Sequence, residues 1–392
     1  MTAQKRSQNK PQNKPIAMLA AGGTGGHLFP AQATARALLK RGWGVVLVTD
    51  SRGAGFGSDL PEVETRRIAA GSPNRGGTLG KLRAALDLGR GYLQSRRLIA
   101  ELQPQAVLGF GGYPSVPPLM AASRKQLRTL LHEQNQVVGR ANRLLAARAD
   151  VIATSFPEVV GLPADTQDRV ALTGNPVRPA IAAVGAKPYP AISETGPLVL
   201  LVTGGSQGAR AFDELVPEAV AQLPPALRAR LTVVQQLRGR ARDEVAAVYE
   251  QAGVAGELQP FFSDMPQRLA AAHLLICRSG ASTVAELAAA GRPALLIPYP
   301  FAADDHQRGN AEAFSAAGGG WVISQREITT ELLSRRLAEL LSAPAKLAAA
   351  AASARSFARD DAAERLADLV CNARNGGEGN GGHQFTYREA AA

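Results

Sequence analysis

His27 closes a glycine-rich turn, Ala21-Gly22-Gly23-Thr24-Gly25-Gly26, that follows the apolar run 16–20. Glycine lets the backbone turn sharply and approach a ligand, and the amides that open the next helix attract anions. A histidine at such a helix start sits in a field that favours neutral imidazole, which can take a proton from a hydroxyl. A second turn of this kind, Gly204-Gly205-Ser206-Gln207-Gly208-Ala209, follows the apolar run 198–202. His132-Glu133-Gln134-Asn135 puts four hydrogen-bonding side chains at the end of an apolar strand, more than a helix cap needs. A polar loop opening a helix is the plainer alternative there. Arg278-Ser279-Gly280-Ala281-Ser282-Thr283-Val284-Ala285-Glu286 follows the run 274–277. Its small residues let a diphosphate reach a helix start. Glu286, one to two turns further on, can accept both hydroxyls of a ribose, or be a solvated helix glutamate. Asp304-Asp305-His306-Gln307 has some metal-ligand chemistry, but with no second cluster and no Asp-x-Asp triplet no metal is expected. No nicotinamide cofactor is expected either: the G-x-G-x-x-G spacing started at Gly23 meets Gly25 and then Leu28.

The elements that must carry these residues alternate. Short apolar runs at 16–20, 45–49, 106–109, 129–132 and 151–154 read as buried strands, with helices at 30–40, 79–102 and 138–149. Strands return at 198–202, 231–235, 274–277 and 294–297, and Ala- and Leu-rich helices fill 330–370. Such alternation implies parallel sheets with right-handed crossovers, whose sites lie at the carboxyl ends of the strands. The chemistry-bearing residues all fall at those ends. The fold expected is α/β, with two similar halves facing a phosphate-bearing substrate between them. The expected division is a disordered basic tail over 1–15, a first domain over 16–178, a Pro- and Ala-rich linker over 179–197, a second domain over 198–371 and a disordered tail over 372–392.

A chain of 392 residues with 45% hydrophobic content can fill two cores. No apolar stretch reaches the roughly 18 residues that span a bilayer, and none resembling a signal core precedes residue 16, so a cytosolic protein is expected. The two cysteines, Cys277 and Cys371, lack metal-ligand spacing and read as ordinary thiols. Net charge is +11, four of it from the N-terminal tail. The excess suits an anionic lipid surface or a phosphorylated substrate, or serves solubility. With 5% aromatic residues and no zinc-finger or RNA-binding signature, nucleic acid is not an expected partner.

Six motifs occur together and in order: Gly22-Gly23-Thr24-Gly25-Gly26-His27, Gly111-Gly112-Tyr113, His132-Glu133-Gln134-Asn135, Gly174-Asn175-Pro176-Val177-Arg178, Gly204-Gly205-Ser206-Gln207-Gly208-Ala209 and Cys277-Arg278-Ser279-Gly280-Ala281. From about residue 16 to 370 the chain resembles the MurG family, the bacterial N-acetylglucosaminyltransferases of glycosyltransferase family 28 that convert lipid I to lipid II. The resemblance implies a GT-B fold: two Rossmann-like parallel-sheet domains with the donor in the cleft, mostly against the second domain, and the last helices packed back on the first. It implies UDP-N-acetylglucosamine (UDP-GlcNAc) as donor, lipid I as acceptor, and an inverting reaction that forms a β-1,4 linkage in peptidoglycan synthesis. By motif, Thr24, Gly25 and Gly26 line the donor sugar and the acceptor diphosphate, and Asn135 binds the sugar. Arg178 and Ser206 contact the donor phosphates or nucleotide. Ala281, Ser282, Thr283, Val284, Ala285 and Glu286 hold the diphosphate and ribose. Gln307 contacts sugar hydroxyls; its loop has His306-Gln307 where the family commonly has paired glutamines. The uracil is expected near Phe262, through its backbone.

The mechanism that follows is a single in-line displacement at the anomeric carbon. Helix N-termini and Arg178 stabilise the leaving diphosphate without a metal. His27 is the first candidate for the base and Glu133 the second. The rivals are another GT-B enzyme on a UDP-sugar, such as a lipid glucosyltransferase or a UDP-GlcNAc epimerase, and a catalytically silent membrane scaffold. The family resemblance also implies a peripheral place on the cytoplasmic face of the cell membrane, beside other cell-wall synthesis proteins. The basic stretch 79–102, with interleaved leucines, is the segment expected to meet anionic lipid.

Overall fold

The computed structural model describes residues 14–22, 25–53, 60–71, 77–193, 195–205 and 208–372. Thr24 and Ser206 lie outside the described residues, as do nearly all of both tails. The first sheet holds β1 (Ile16–Ala20), β2 (Gly44–Thr49), β3 (Glu64–Arg67), β4 (Ala106–Gly109), β5 (Arg128–Glu133), β6 (Val151–Thr154) and β7 (Val170–Leu172), in the order β3-β2-β1-β4-β5-β6-β7. The second holds β8 (Leu198–Thr203), β9 (Leu231–Gln236), β10 (Ala255–Gln259), β11 (Leu274–Cys277), β12 (Ala294–Leu296) and β13 (Gly320–Val322), in the order β10-β9-β8-β11-β12-β13. Every strand pair in both sheets is parallel. These are two Rossmann-like sheets, and each reverses its winding direction once: at β1/β4 in the first and at β8/β11 in the second. Ligands of open α/β sheets bind at those switch points.

The helices between the strands are α1 (Gly25–Lys40), α2 (Thr78–Leu102), α3 (Val116–Arg124) and α4 (Arg140–Ala146) in the first half. They continue with α5 (Pro179–Gly185), α6 (Arg210–Ala221), α7 (Pro225–Arg228), α8 (Arg242–Gln251), α9 (Met265–Ala271), α10 (Ala281–Ala290) and α11 (His306–Ala316). Last come α12 (Thr330–Leu341), α13 (Pro344–Phe357) and α14 (Ala362–Cys371). Successive strand residues point to opposite faces, and the cores follow that alternation. Ala17 and Leu19 of β1 join one cluster with Ala31, Ala35 and Leu38 of α1, while Met18 and Ala20 join another with Leu119 and Ala122 of α3. In β8, Leu198, Leu200 and Val202 meet α6 and α12, and Leu201 faces α10. Central strands buried on both faces need continuous apolar runs, which is why they were legible.

Three local differences from the sequence reading have physical causes. α1 begins at Gly25, before Pro30, although proline lacks the donor that the Gly26 carbonyl would otherwise receive. The stretch 179–197 is not linker throughout, because α5 puts Ile181 and Val184 into the second domain's core. β3, β7, β10 and β13 had no run to betray them: β3 and β10 are edge strands with polar sequence, and β7 and β13 are three residues each. The chain finally returns to its start. Leu366, Ala367, Leu369 and Val370 of α14 complete the first domain's core, and Arg41 after α1 pairs with Glu364 at 2.8 Å and Asp368 at 2.9 Å.

Candidate active site

The loops after β1 and β4 cross at the first switch point. Gly22 N–H donates to the Gly111 carbonyl at 3.3 Å, and the His27 ring lies between the two strands' loops. A β-carbon at Gly22 would stand 3.2 Å from its Cδ2, and one at Gly111 3.2 Å from its Cε1, so both glycines make room for the ring. Gly111 also has φ +85°, a backbone that other residues adopt only with strain. Gln134 at the end of β5 reaches His27: its Oε1 lies 3.2 Å from Nδ1.

Glu133, the second candidate base, sits in a hydrogen-bonded loop network. It is buried, and it accepts from Asn135 N–H at 2.9 Å, Gly139 N–H at 2.9 Å and Asn142 Nδ2 at 2.8 Å. Burial raises its pKa, against the pull of those donors. Its carboxyl group shapes the loop from Asn135 to the start of α4. Asn135 faces the second domain, where Asn310 of α11 donates from Nδ2 to Asn135 Oδ1 at 3.1 Å and to the Ser279 carbonyl at 3.0 Å. Gln136 N–H donates back to Asn310 Oδ1 at 2.8 Å. Asn310 is fully buried at this seam, and the sequence reading gave it no role. The signal was there: one asparagine beside Ala311 and three before Ala313-Phe314, on a face that goes to the core.

The loops after β8 and β11 make the second switch point. A β-carbon on Gly204 would lie 2.1 Å from the Gly208 carbonyl carbon, so only glycine closes that turn. α10 starts at Ala281 after Gly280, with no side-chain cap and no acidic residue in its first turn, leaving a partial positive charge directed at the cleft. Across the cleft is the first turn of α1, also without an acid. The two helix starts approach closely: Ser282 Oγ donates to the Gly26 carbonyl at 3.4 Å, the acceptor that Pro30 deprives of its helical donor. Main-chain amides at a helix start attract anions, so both starts are candidates to hold one.

Glu286 and Arg178 come together, although the sequence assigned them to different parts of a nucleotide. Arg178 donates from Nη2 and Nε to Glu286 Oε1 at 2.9 and 3.2 Å and stacks 5.1 Å over the Phe29 ring of α1. Burial still raises the Glu286 pKa, which the Arg178 charge only partly offsets. Gln307 lies in the first turn of α11, just after the loop that follows β12. Its Oε1 accepts from Tyr299 N–H at 3.0 Å, and its carbonyl accepts from Ser279 Oγ at 2.7 Å. Arg278 pins this loop by donating to the carbonyls of Ile297 at 3.0 Å and Pro298 at 3.2 Å, between the rings of Phe212 and Tyr299. Its burial lowers its pKa to about 10. Phe262 is a core side chain under Arg268. Asp304 is held by Arg140 of the first domain through two contacts of 3.0 Å, and His306 Nδ1 lies 2.7 Å from the Ala303 carbonyl. Among the described residues no group of three or more His, Cys, Asp or Glu side chains could hold a metal ion.

Two family models match this chain. The glycosyltransferase family 28 N-terminal domain covers residues 17–154, and the family's C-terminal domain covers 199–366. A protein of Rhodospirillum centenum, a UDP-N-acetylglucosamine--N-acetylmuramyl-(pentapeptide) pyrophosphoryl-undecaprenol N-acetylglucosamine transferase, is 56% identical over 93% of this chain and 95% of its own. Its namesake in Paramagnetospirillum magneticum is 50% identical over 91% and 96%. The crystal structure of Acinetobacter baumannii MurG superposes with a TM-score of 0.75 at 28% identity, over 91% of this chain and 99% of that one. A UDP-N-acetylglucosamine 2-epimerase structure from Listeria monocytogenes, at 17% identity and a TM-score of 0.65, shares the fold alone. Matches at this identity over nearly the whole length, across both sheets and the cleft between them, establish that the chain belongs to glycosyltransferase family 28.

Proposed function

We propose that this chain transfers N-acetylglucosamine from UDP-N-acetylglucosamine to the lipid-linked N-acetylmuramyl-pentapeptide, inverting the anomeric centre to give a β-1,4 linkage. The observation that carries this reading is the convergence of His27 with the facing N-termini of α1 and α10 at the two switch points. The diphosphate of the donor lies against the α10 start, where main-chain amides take up the charge that develops as UDP leaves. Glu286 accepts the ribose hydroxyls, Arg178 holds Glu286 and adds positive charge beside the diphosphate, and Asn135 and Gln307 contact the sugars. The Phe262 backbone meets the uracil. His27 takes the proton of the acceptor hydroxyl. That oxygen attacks the anomeric carbon while the bond from this carbon to the diphosphate oxygen breaks on the opposite face.

The test is UDP release with a lipid I analogue against a control without acceptor. His27→Ala should lower kcat by about 10²–10⁴, the range for general-base catalysis, with UDP affinity little changed. His27→Asn keeps a polar contact without a base and should be nearly as damaging; near-native turnover in that variant would end the assignment.

The second part of the reading is a peripheral site on the cytoplasmic membrane face. No described helix is long and apolar enough to cross a membrane. On α2, Leu79, Leu82, Leu86 and Leu93 are 82%, 60%, 67% and 57% exposed. Their spacing puts them on one face, while Ala84, Gly91, Ser95 and Ile99 face the protein. Arg83, Arg90 and Arg97 run beside the leucines at seven-residue spacing, all exposed. A leucine stripe turned away from its own core and edged by cations suits an interface with anionic lipid. Co-sedimentation with anionic vesicles should fall as salt rises; binding that ignores salt, or none, would remove this reading.

A further inference from the structure

The hydrogen bonds behind His27 have a fixed direction. A main-chain carbonyl can only accept, and a neutral imidazole has one N–H and one lone pair. His132 Nε2 lies 3.0 Å from the Gly174 carbonyl and therefore carries a proton. Ser155 Oγ, 3.3 Å from the same nitrogen, shares that donor. The His132 ring is wholly buried, packed edge-on to Phe110, and burial lowers its pKa to about 4, so it is neutral with its lone pair on Nδ1. That lone pair accepts from Gln134 Nε2 at 3.1 Å, and the second N–H of the same amide goes to the Phe110 carbonyl at 2.8 Å. Both contacts call for the amide nitrogen on the core side, which leaves Oε1 at 3.2 Å from His27 Nδ1. An amide oxygen only accepts, so His27 Nδ1 must donate.

We infer that His132 and Gln134 are positioning residues that set the tautomer of His27, keeping its proton on Nδ1 and its lone pair on Nε2. The two carbonyls, Gly174 and Phe110, cannot reverse their roles, so the relay has a single sense. It selects the ring nitrogen that can take a proton. Because the orienting group is an amide rather than a carboxylate, it adds no charge beside the His27 ring. The catalytic consequence rests on the proposed role of His27 as base; the tautomer itself does not.

The experiment is nitrogen NMR of the full chain labelled at its five histidines, with His27→Asn identifying the His27 signals. His27 should show a protonated Nδ1 and a lone-pair Nε2, and His132 the reverse. A protonated Nε2 on neutral His27 overturns the inference. Kinetics supply the second readout. Gln134→Leu removes the acceptor and should lower kcat about 10²-fold, the low end for a misdirected general base, with the donor KM unchanged. Gln134→Glu restores an acceptor and adds a charge that favours imidazolium, so it should recover part of kcat and move the acid limb of the kcat profile to higher pH. An acid limb that stays in place would mean that Gln134 only packs, and would also overturn the inference. The two readings separate cleanly. If His27→Asn keeps its turnover while the nitrogen signals are as expected, the base assignment falls and the tautomer stands; if the signals are reversed in an enzyme that His27→Asn inactivates, the relay falls and the base stands.

Discussion

Removing the Glu286 carboxylate tests the donor site most directly, because the structure limits what it can hold. A carboxylate has about four lone-pair positions, two on each oxygen. Arg178 occupies Oε1 twice, at 2.9 and 3.2 Å, which leaves Oε2 for a ribose. A hydrogen bond to a charged acceptor contributes about 1.5–3 kcal/mol. Arg178 loses its partner in both the free and the bound protein, so that cost largely cancels from the binding difference. Glu286→Ala should then weaken UDP by about 1.5–3 kcal/mol, or about 10- to 150-fold in Kd. Glu286→Gln keeps an acceptor without the charge and should fall between the two. Calorimetry with UDP measures both. The pH dependence is a separate check. Burial raises the Glu286 pKa, so acidification protonates it before an ordinary carboxylate and removes acceptor capacity. Donor affinity should therefore drop with falling pH, starting above the usual carboxylate range, and Glu286→Gln should abolish that dependence. UDP-GlcNAc is the better titrant here, since it lacks the terminal phosphate that ionises near pH 6 in about that window. Unchanged affinity in a folded Glu286→Ala protein would refute the ribose role.

Three further outcomes are expected. Turnover should survive thorough chelation, since Asp304 is committed to Arg140 and the opposed helix starts already supply positive potential; loss with EDTA that Mg²⁺ restores would contradict this. Leu366→Ala in α14 should cost about 2–5 kcal/mol in denaturant unfolding, because this fully buried side chain ties the C-terminus to the first core, and no change would show that α14 is dispensable. Asn310→Ala strips three hydrogen bonds from the seam between the domains and should raise the donor KM more than it lowers kcat; an unaltered KM would make Asn310 purely structural.

The central strands and both glycine turns could be read from sequence because their signals are local. A strand buried on both faces must be apolar throughout, and a turn that a β-carbon would block must be glycine. The edge strand Glu64–Arg67 has neither signal, since its place depends on pairing with β2 rather than on its own residues. The site divides in the same way. His27 and Glu286 were visible because they follow helix starts at strand ends. The Arg178–Glu286 pair was not, since it joins residues 108 positions apart. Glu133 and Gln134 adjoin in sequence but serve different partners, as neighbouring side chains diverge at a strand's end: Glu133 turns to the Asn135–Gly139 loop and Gln134 to His27. Spacing alone could not separate a side chain that organises the loop from one that meets His27.

In the proposed reaction the same Rossmann geometry serves two chemistries, one at each switch point. At the first, the crossing of the β1 and β4 loops leaves room for an imidazole only because Gly22 and Gly111 lack side chains. At the second, the β11 loop delivers an uncapped helix start, and Glu286 follows on the same helix. An in-line displacement needs a base and a leaving-group site on opposite sides of the reacting carbon. One sheet would present both from the same edge. Two sheets with their carboxyl ends facing across a cleft present them from opposite walls, and the Asn310–Asn135, Ser282–Gly26 and Arg140–Asp304 contacts fix the distance between those walls. In the proposed reaction the division of labour follows from the topology: the base comes from the first domain, and the α10 helix start under the departing diphosphate comes from the second.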